Sequence, residues 1–238
     1  MSFLFPTKPK PPHGSAADKR LAFLDPEALV INDAVAGKLQ HFARLPPQSD
    51  VNEWLATNCL AFFHQINTQV GVIGELCTQQ GCPSMCAGKE IFEWLEDRKG
   101  NKKHKTPAKQ YINTALEQIH KILQDEEQFP TKFGLDFPPD IVQTIKKIFR
   151  TYFAILAHIY YHHYNELLKL GAHRGLNTLL LHLVYFVREF SLMDSKELAC
   201  LEELVAKLVK VEEEAAKNPK HDDDYLEYEM HSAGPAAS

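Results

Sequence analysis

Three of the five cysteines, Cys77, Cys82 and Cys86, fall within ten residues of one another, and about 75 residues later the run HIYYHHY supplies His158, His162 and His163. Thiolates and imidazoles are the ligands that tetrahedral zinc prefers, and a Cys2His2 set with two to four residues between the cysteines and three to five between the histidines is a recurrent structural pattern. Cys77-x4-Cys82 fits it. Periodicity by itself pairs His158 with His162, four apart on one helical face, whereas His158 and His163 are five apart and diverge by about 140° on an ideal helix. Cys82-x3-Cys86 is also a permitted spacing, so the residues leave the choice of ligands open. The bland alternative is that the cysteines are small buried hydrophobes and that the histidines only hydrogen-bond at a surface. Cys59 and Cys200, each isolated on a helical face, are expected in the core.

A metal held by four protein ligands keeps no position for water, which makes such a site a staple rather than a catalyst. Cys77 with His158 also offers a nucleophile and a base, so the rival reading is a zinc- or thiol-dependent hydrolase. No other enzyme signature accompanies the cluster: GxGxxG after a strand, GxxxxGK[ST], GxSxG and HExxH are all missing from the sequence.

The elements that must position these residues read as helices. Asp50 can cap a helix whose third position is Glu53, as in a capping box. Val51, Trp54, Leu55, Leu60, Phe62, Phe63, Ile66, Val70 and Ile73 then recur at helical spacing and predict a helix through to Cys77, with Gly81 and Pro83 ending the run. Tyr111, Ile112, Ala115, Ile119 and Ile122 predict a second helix over 108–123. DEEQFPTKFGLDFPPD, with three prolines and a glycine, is an ordered loop that ends at a proline-marked helix entrance. A helix follows from Ile141 past His163, another over 176–190, and a last over 198–209 opened by Asp194 or Ser195 with Glu197 behind it. The stretch IFEWLEDRKGNKKHKT suggests one small hairpin. Helices of this number with few strands predict a mainly all-α bundle.

At 238 residues and 45% apolar content the chain has enough material for a real core. The formal charge of -5 gives no general field for nucleic acid or an anionic membrane, and apolar runs are too short to span a bilayer. The charge is uneven. Residues 212–238 carry eight acidic side chains against Lys217 and Lys220, leaving the body about +1. This reads as an acidic disordered tail, and residues 1–20, with four prolines and Lys8, Lys10, Lys19 and Arg20, as a flexible basic arm, with the folded domain over 21–211. The opening MSFLFPTKPKPPHG lacks the apolar region of a secretory signal, so a cytosolic or nuclear address is expected, and there an odd cysteine count argues against a disulfide framework.

The stretches LPPQSDVNEWLATNCLAFFHQIN, ELCTQQGCPSM, FPTKFGLDFP, LAHIYYHHY and LNTLLLHLVYFVREFSLMDSKEL, with the MSFLF opening, resemble the Mob family of kinase coactivators over roughly residues 43–205. WLATN, FPTK, LAHIY and REF with MDSKE lean toward the second Mob class, the partners of NDR-type kinases. The resemblance implies a helical bundle with a four-helix core, a small β-hairpin and a structural zinc. Its CxxxxC and HxxxxH pattern assigns the ligands to Cys77, Cys82, His158 and His163, against the His162 that periodicity prefers, and leaves Cys86 a bystander. It implies a non-catalytic regulator that binds the basic N-terminal regulatory segment of an NDR-type kinase, through positions matching Asp50, Glu53, Trp54, Gln65 and His182.

Two departures bear on partner choice. Ala61 stands where the first Mob class has an acidic residue, which weakens the expectation of LATS-type binding. Arg150, Thr151 and Ala154 stand where that class has three basic residues for phosphothreonine peptides, so phosphopeptide binding is expected to be weak or absent.

Overall fold

In the computed structural model of the chain, the described residues are 21–92, 94, 95, 103, 104, 106–132 and 134–217. The basic arm over 1–20 and the tail from 218 onward lie outside them. Six α-helices carry the fold: α1 (Leu39–Phe42), α2 (Val51–Ile73), α3 (Ala108–Leu123), α4 (Ile141–Lys169), α5 (His173–Glu189) and α6 (Glu202–Lys217). Two antiparallel pairs sit between α2 and α3. β1 (Cys86–Ala87) pairs with β2 (Glu90–Ile91), and β3 (Trp94–Leu95) with β4 (Lys103–His104). The second pair is the hairpin that the sequence suggests. The first is an addition, turned through Gly88–Lys89 with Gly88 at φ 60°, the conformation a two-residue hairpin turn reserves for glycine.

The bundle is organised around α4, which touches α2, α3, α5 and β1. Every residue from Tyr152 to Tyr160 is buried, so this helix has no solvent face along its middle. Phe62 of α2, Phe149 of α4 and Phe186 of α5 meet there, with Phe149 and Phe186 stacked at 5.3 Å and Phe62 edge-on to both. Asn177, fully buried on α5, accepts from the Tyr160 hydroxyl and donates to the carbonyls of Ala28 and Val30, which fastens the extended N-terminal segment onto the helices without leaving an unpaired amide.

The last helix corrects the sequence reading twice. It starts at Glu202 after a short 3-10 turn (Ala199–Leu201), and Asp194 is not its cap: the Asp194 backbone N–H donates to the Glu197 carboxylate in the turn before it. It also runs through Lys217, so the acidic stretch expected to be tail from residue 212 begins inside the fold. Glu212 is buried, and its two oxygens accept from the backbone N–H groups of Gly37 and Leu39. Gly37 has φ 81°, and a Cβ there would lie 2.8 Å from the Ala216 backbone, so glycine is required on both counts.

Candidate metal centre and partner surface

α2 ends at Ile73, four residues before Cys77, and a turn carries the chain on. The Cys77 N–H donates to the Ile73 carbonyl, the Cys82 N–H to the Thr78 carbonyl, and Thr78 Oγ1 accepts from Gly81. These local bonds fix both thiols over the side of α4. Cys77 Sγ lies 3.6 Å from His158 Nε2, and Cys82 Sγ lies 3.5 Å from His163 Nε2. The four ligand atoms all fall within 4.8 Å of one another and all four residues are buried. α4 remains α-helical through both histidines, so the helix does not loosen to bring them together. The reach of the imidazoles and the approach of the cysteine turn bridge the angular gap, and the two rings meet edge-on at 5.3 Å.

The chemistry of this donor set fits a metal. Burial pushes the Cys77 thiol up to about 12 and raises that of Cys82, so neither ionises readily without a cation beside it. Burial likewise lowers His158 to about 4 and lowers His163, which keeps both imidazoles neutral with a free ring nitrogen. His158 Nδ1 faces the Cys86 carbonyl at 2.9 Å, which sets Nε2 as the ligating atom, as outer contacts do for metal-bound histidine. Two thiols and two imidazoles complete a tetrahedral shell, so the quartet can hold a metal as a cross-link and leaves no ligand position for a substrate. Cys86 stays outside the quartet, as does His162.

The other predicted residues lie on α2 and α5. Asp50 caps α2 with one oxygen accepting from the N–H groups of Asn52 and Glu53. The reciprocal half of a capping box is not made among the described residues, so the exposed Glu53 carboxylate is left to solvent. At 100° per residue Asp50, Glu53, Trp54, Ala61 and Gln65 fall within about 120° of one another, opposite the buried row Leu55, Cys59, Phe62, Ile66 and Ile73. Trp54 is only half-buried against the core, and its Nε1, a donor shielded from water, has no partner among the described residues. Val51 and Leu60, read from the sequence as part of the apolar stripe, are instead 41% and 44% exposed. His182 of α5 packs its ring 4.9 Å from Phe62; its Nε2 is likewise unpartnered, and burial lowers it to about 4.

The three positions that the resemblance matches to a phosphothreonine site carry no free cation cluster. Arg150 is ion-paired with Glu197, the Thr151 hydroxyl donates to the Lys147 carbonyl of its own helix, and Ala154 is buried. Among the described residues no helix is long and apolar enough to cross a membrane.

A helical bundle with a buried Cys/His quartet that can hold a metal, and with an acidic, partly apolar helix face, belongs to the class of binding and regulatory modules. A model of the Mob1/phocein family matches residues 32–201, and the chain belongs to that family. It is 39% identical to MOB kinase activator 2 of Homo sapiens over 208 residues, 86% of each chain. It is 40% identical to MOB kinase activator-like 1 homolog A of Dictyostelium discoideum over 176 residues, 74% of this chain and 83% of the relative. With the maintenance of ploidy protein mob1 of Schizosaccharomyces pombe it shares 39% identity over 175 residues, 73% of this chain and 83% of that one. Relatives named for kinase activation, and not for a reaction of their own, agree with a non-enzyme.

Proposed function

We propose that this protein is a non-catalytic subunit that binds the basic regulatory segment ahead of an NDR-type kinase domain and thereby modulates the kinase. The observation that carries the reading is the outer face of α2. Asp50 and Glu53 supply negative charge beside Trp54, whose indole N–H, like the ring nitrogen of His182 on α5, lacks a partner among the described residues. A Lys/Arg-rich helix laid along this face would be steered by the acids. It would bury the half-buried Trp54 at the centre of that face, and burial of large apolar groups supplies most of the affinity in such interfaces. Names of kinase activators among the relatives support a kinase as the partner. Ala61, on the same face, replaces an acid with a methyl group and favours NDR-type over LATS-type segments.

Zinc is the metal that the two-thiol, two-imidazole set selects. When bound it supplies a structural cross-link between the turn after α2 and the middle of α4. Cys77, Cys82, His158 and His163 hold it, and the Cys86 carbonyl orients His158. The address we propose is cytosolic or nuclear.

The test is a binding titration of the full chain with a synthetic basic NDR regulatory segment. Micromolar or tighter binding that weakens with salt and falls tenfold or more in Glu53→Lys is expected; a wild-type chain that ignores the segment at micromolar concentration overturns the reading. A phosphothreonine peptide titrated in the same assay should not saturate, because the one pocket cation is already paired with Glu197.

A further inference from the structure

Beside the quartet lies a second thiol and imidazole that its metal does not use. Cys86 Sγ is 3.4 Å from His162 Nε2, with the cysteine half-buried and the histidine exposed. The contact has the dimensions of shared ligation. Bonds of about 2.3 Å to sulfur and 2.0–2.1 Å to nitrogen at a tetrahedral angle separate the two ligand atoms by about 3.6 Å. The two pairs of the quartet stand at 3.6 and 3.5 Å, and this third pair falls on the same value within 0.2 Å.

We propose that Cys86 and His162 form a second site for a thiophilic d10 cation of the zinc class, at the exposed edge of the first, with its remaining positions open to water. Both ligands are held on fixed backbone. Cys86 is paired to Ile91 across the β1–β2 hairpin, and its carbonyl faces His158 Nδ1. The His162 ring stacks on His158 at 4.6 Å, which limits its rotation. The Ser84 hydroxyl donates to the Cys86 sulfur at 3.7 Å, and the Cys86 backbone carbonyl also meets the His162 ring. Charge does not forbid a second cation so close, because a divalent ion held by two thiolates is neutral as a unit and repels a neighbour only weakly. Two protein ligands in place of four make the second site weaker and faster to exchange than the first. This site is independent of the kinase reading.

The experiment loads the full chain with one equivalent of zinc and then titrates more zinc against a chromophoric chelator, for wild type, Cys86→Ser, His162→Gln and the double variant. Histidine and aspartate in the tail contribute background uptake, which the double variant measures. Wild type is expected to bind one further equivalent, and each single variant to weaken that step tenfold or more. The first equivalent and the melting temperature should be unchanged, which shows that the variants fold. In parallel, iodoacetamide labelling of Cys86, read by peptide mass, should slow at saturating zinc in wild type and not in His162→Gln. Equal uptake by wild type and the double variant, or Cys86 labelling indifferent to zinc, overturns the second site and leaves a plain thiol–imidazole hydrogen bond. Loss of the first equivalent from wild type would instead count against the quartet, while the labelling readout still reports on Cys86.

Discussion

At the quartet the four ligand atoms face one another inside the fold, whereas on the outer face of α2 the acids are exposed and the shielded Trp54 Nε1 beside them has no partner among the described residues. Both regions are polar, and both lie against the same core. The difference is where the polar groups are satisfied. A cluster closed on itself contributes to stability, and a face whose hydrogen-bonding capacity is left over contributes to association.

Perturbations should separate the two regions, and the largest effect belongs at the quartet. Cys82→Ser removes one ligand from the proposed metal cross-link, which would join residues 81 apart in sequence. By the chain-entropy scale for a closed loop of that length the loss is about 4–5 kcal/mol. A fall in melting temperature of about 10 °C or more should follow. Calorimetry with and without a chelator measures it, and an unchanged melt would remove the distinction between the regions.

The next effect tests His182, which lies between the two kinds of environment. Its folded-state pKa of about 4 is below the ordinary 6.5, so its neutral form is favoured in the fold. Its contribution is complete above pH 6.5, declines as the pH falls below that, and is gone below about 4. The 2.5-unit difference bounds the loss at about 3 kcal/mol. His182→Leu should flatten the stability profile between pH 6.5 and 4 by that contribution, leaving the part due to the other histidines that burial lowers. Urea midpoints across that range check this, and superimposable profiles would show that His182 titrates as it does in the unfolded chain.

The smallest effect sharpens the boundary. Asp50→Ala removes a helix cap that satisfies two backbone donors, at about 1 kcal/mol. It should also weaken segment binding, whereas Glu53→Lys should weaken binding and leave the melt within about 2 °C, since substitutions at exposed positions without internal partners change stability little. If Asp50→Ala lowered stability with no change in binding, Asp50 would belong wholly to the fold.

Much of this was legible in the sequence where one side of a helix meets water. The apolar spacing of α3 gives its limits as Ala108–Leu123, the limits observed, because that helix is amphipathic. The same method pairs His158 with His162 and misses the quartet's His163, for a physical reason: the middle of α4 is buried all round, so no stripe marks which face meets the cysteines. The family resemblance supplied that choice. The β1–β2 hairpin went unread although Gly88–Lys89 is a two-residue turn with glycine first. Glu212 reads as the start of a solvated tail, because the stretch after it is rich in acid and no apolar helical stripe continues past Val211. Nothing in its neighbours announces the two backbone N–H groups, 175 and 173 residues away, that make its burial tolerable.

That carboxylate also determines how the protein would bear load. Tension applied through residues beyond Lys217 enters α6 and meets the Glu212 bonds to Gly37 and Leu39 within two turns of the helix end. From there it passes to α1, which rests on α5. A tether on the acidic tail therefore pulls on the helical scaffold itself.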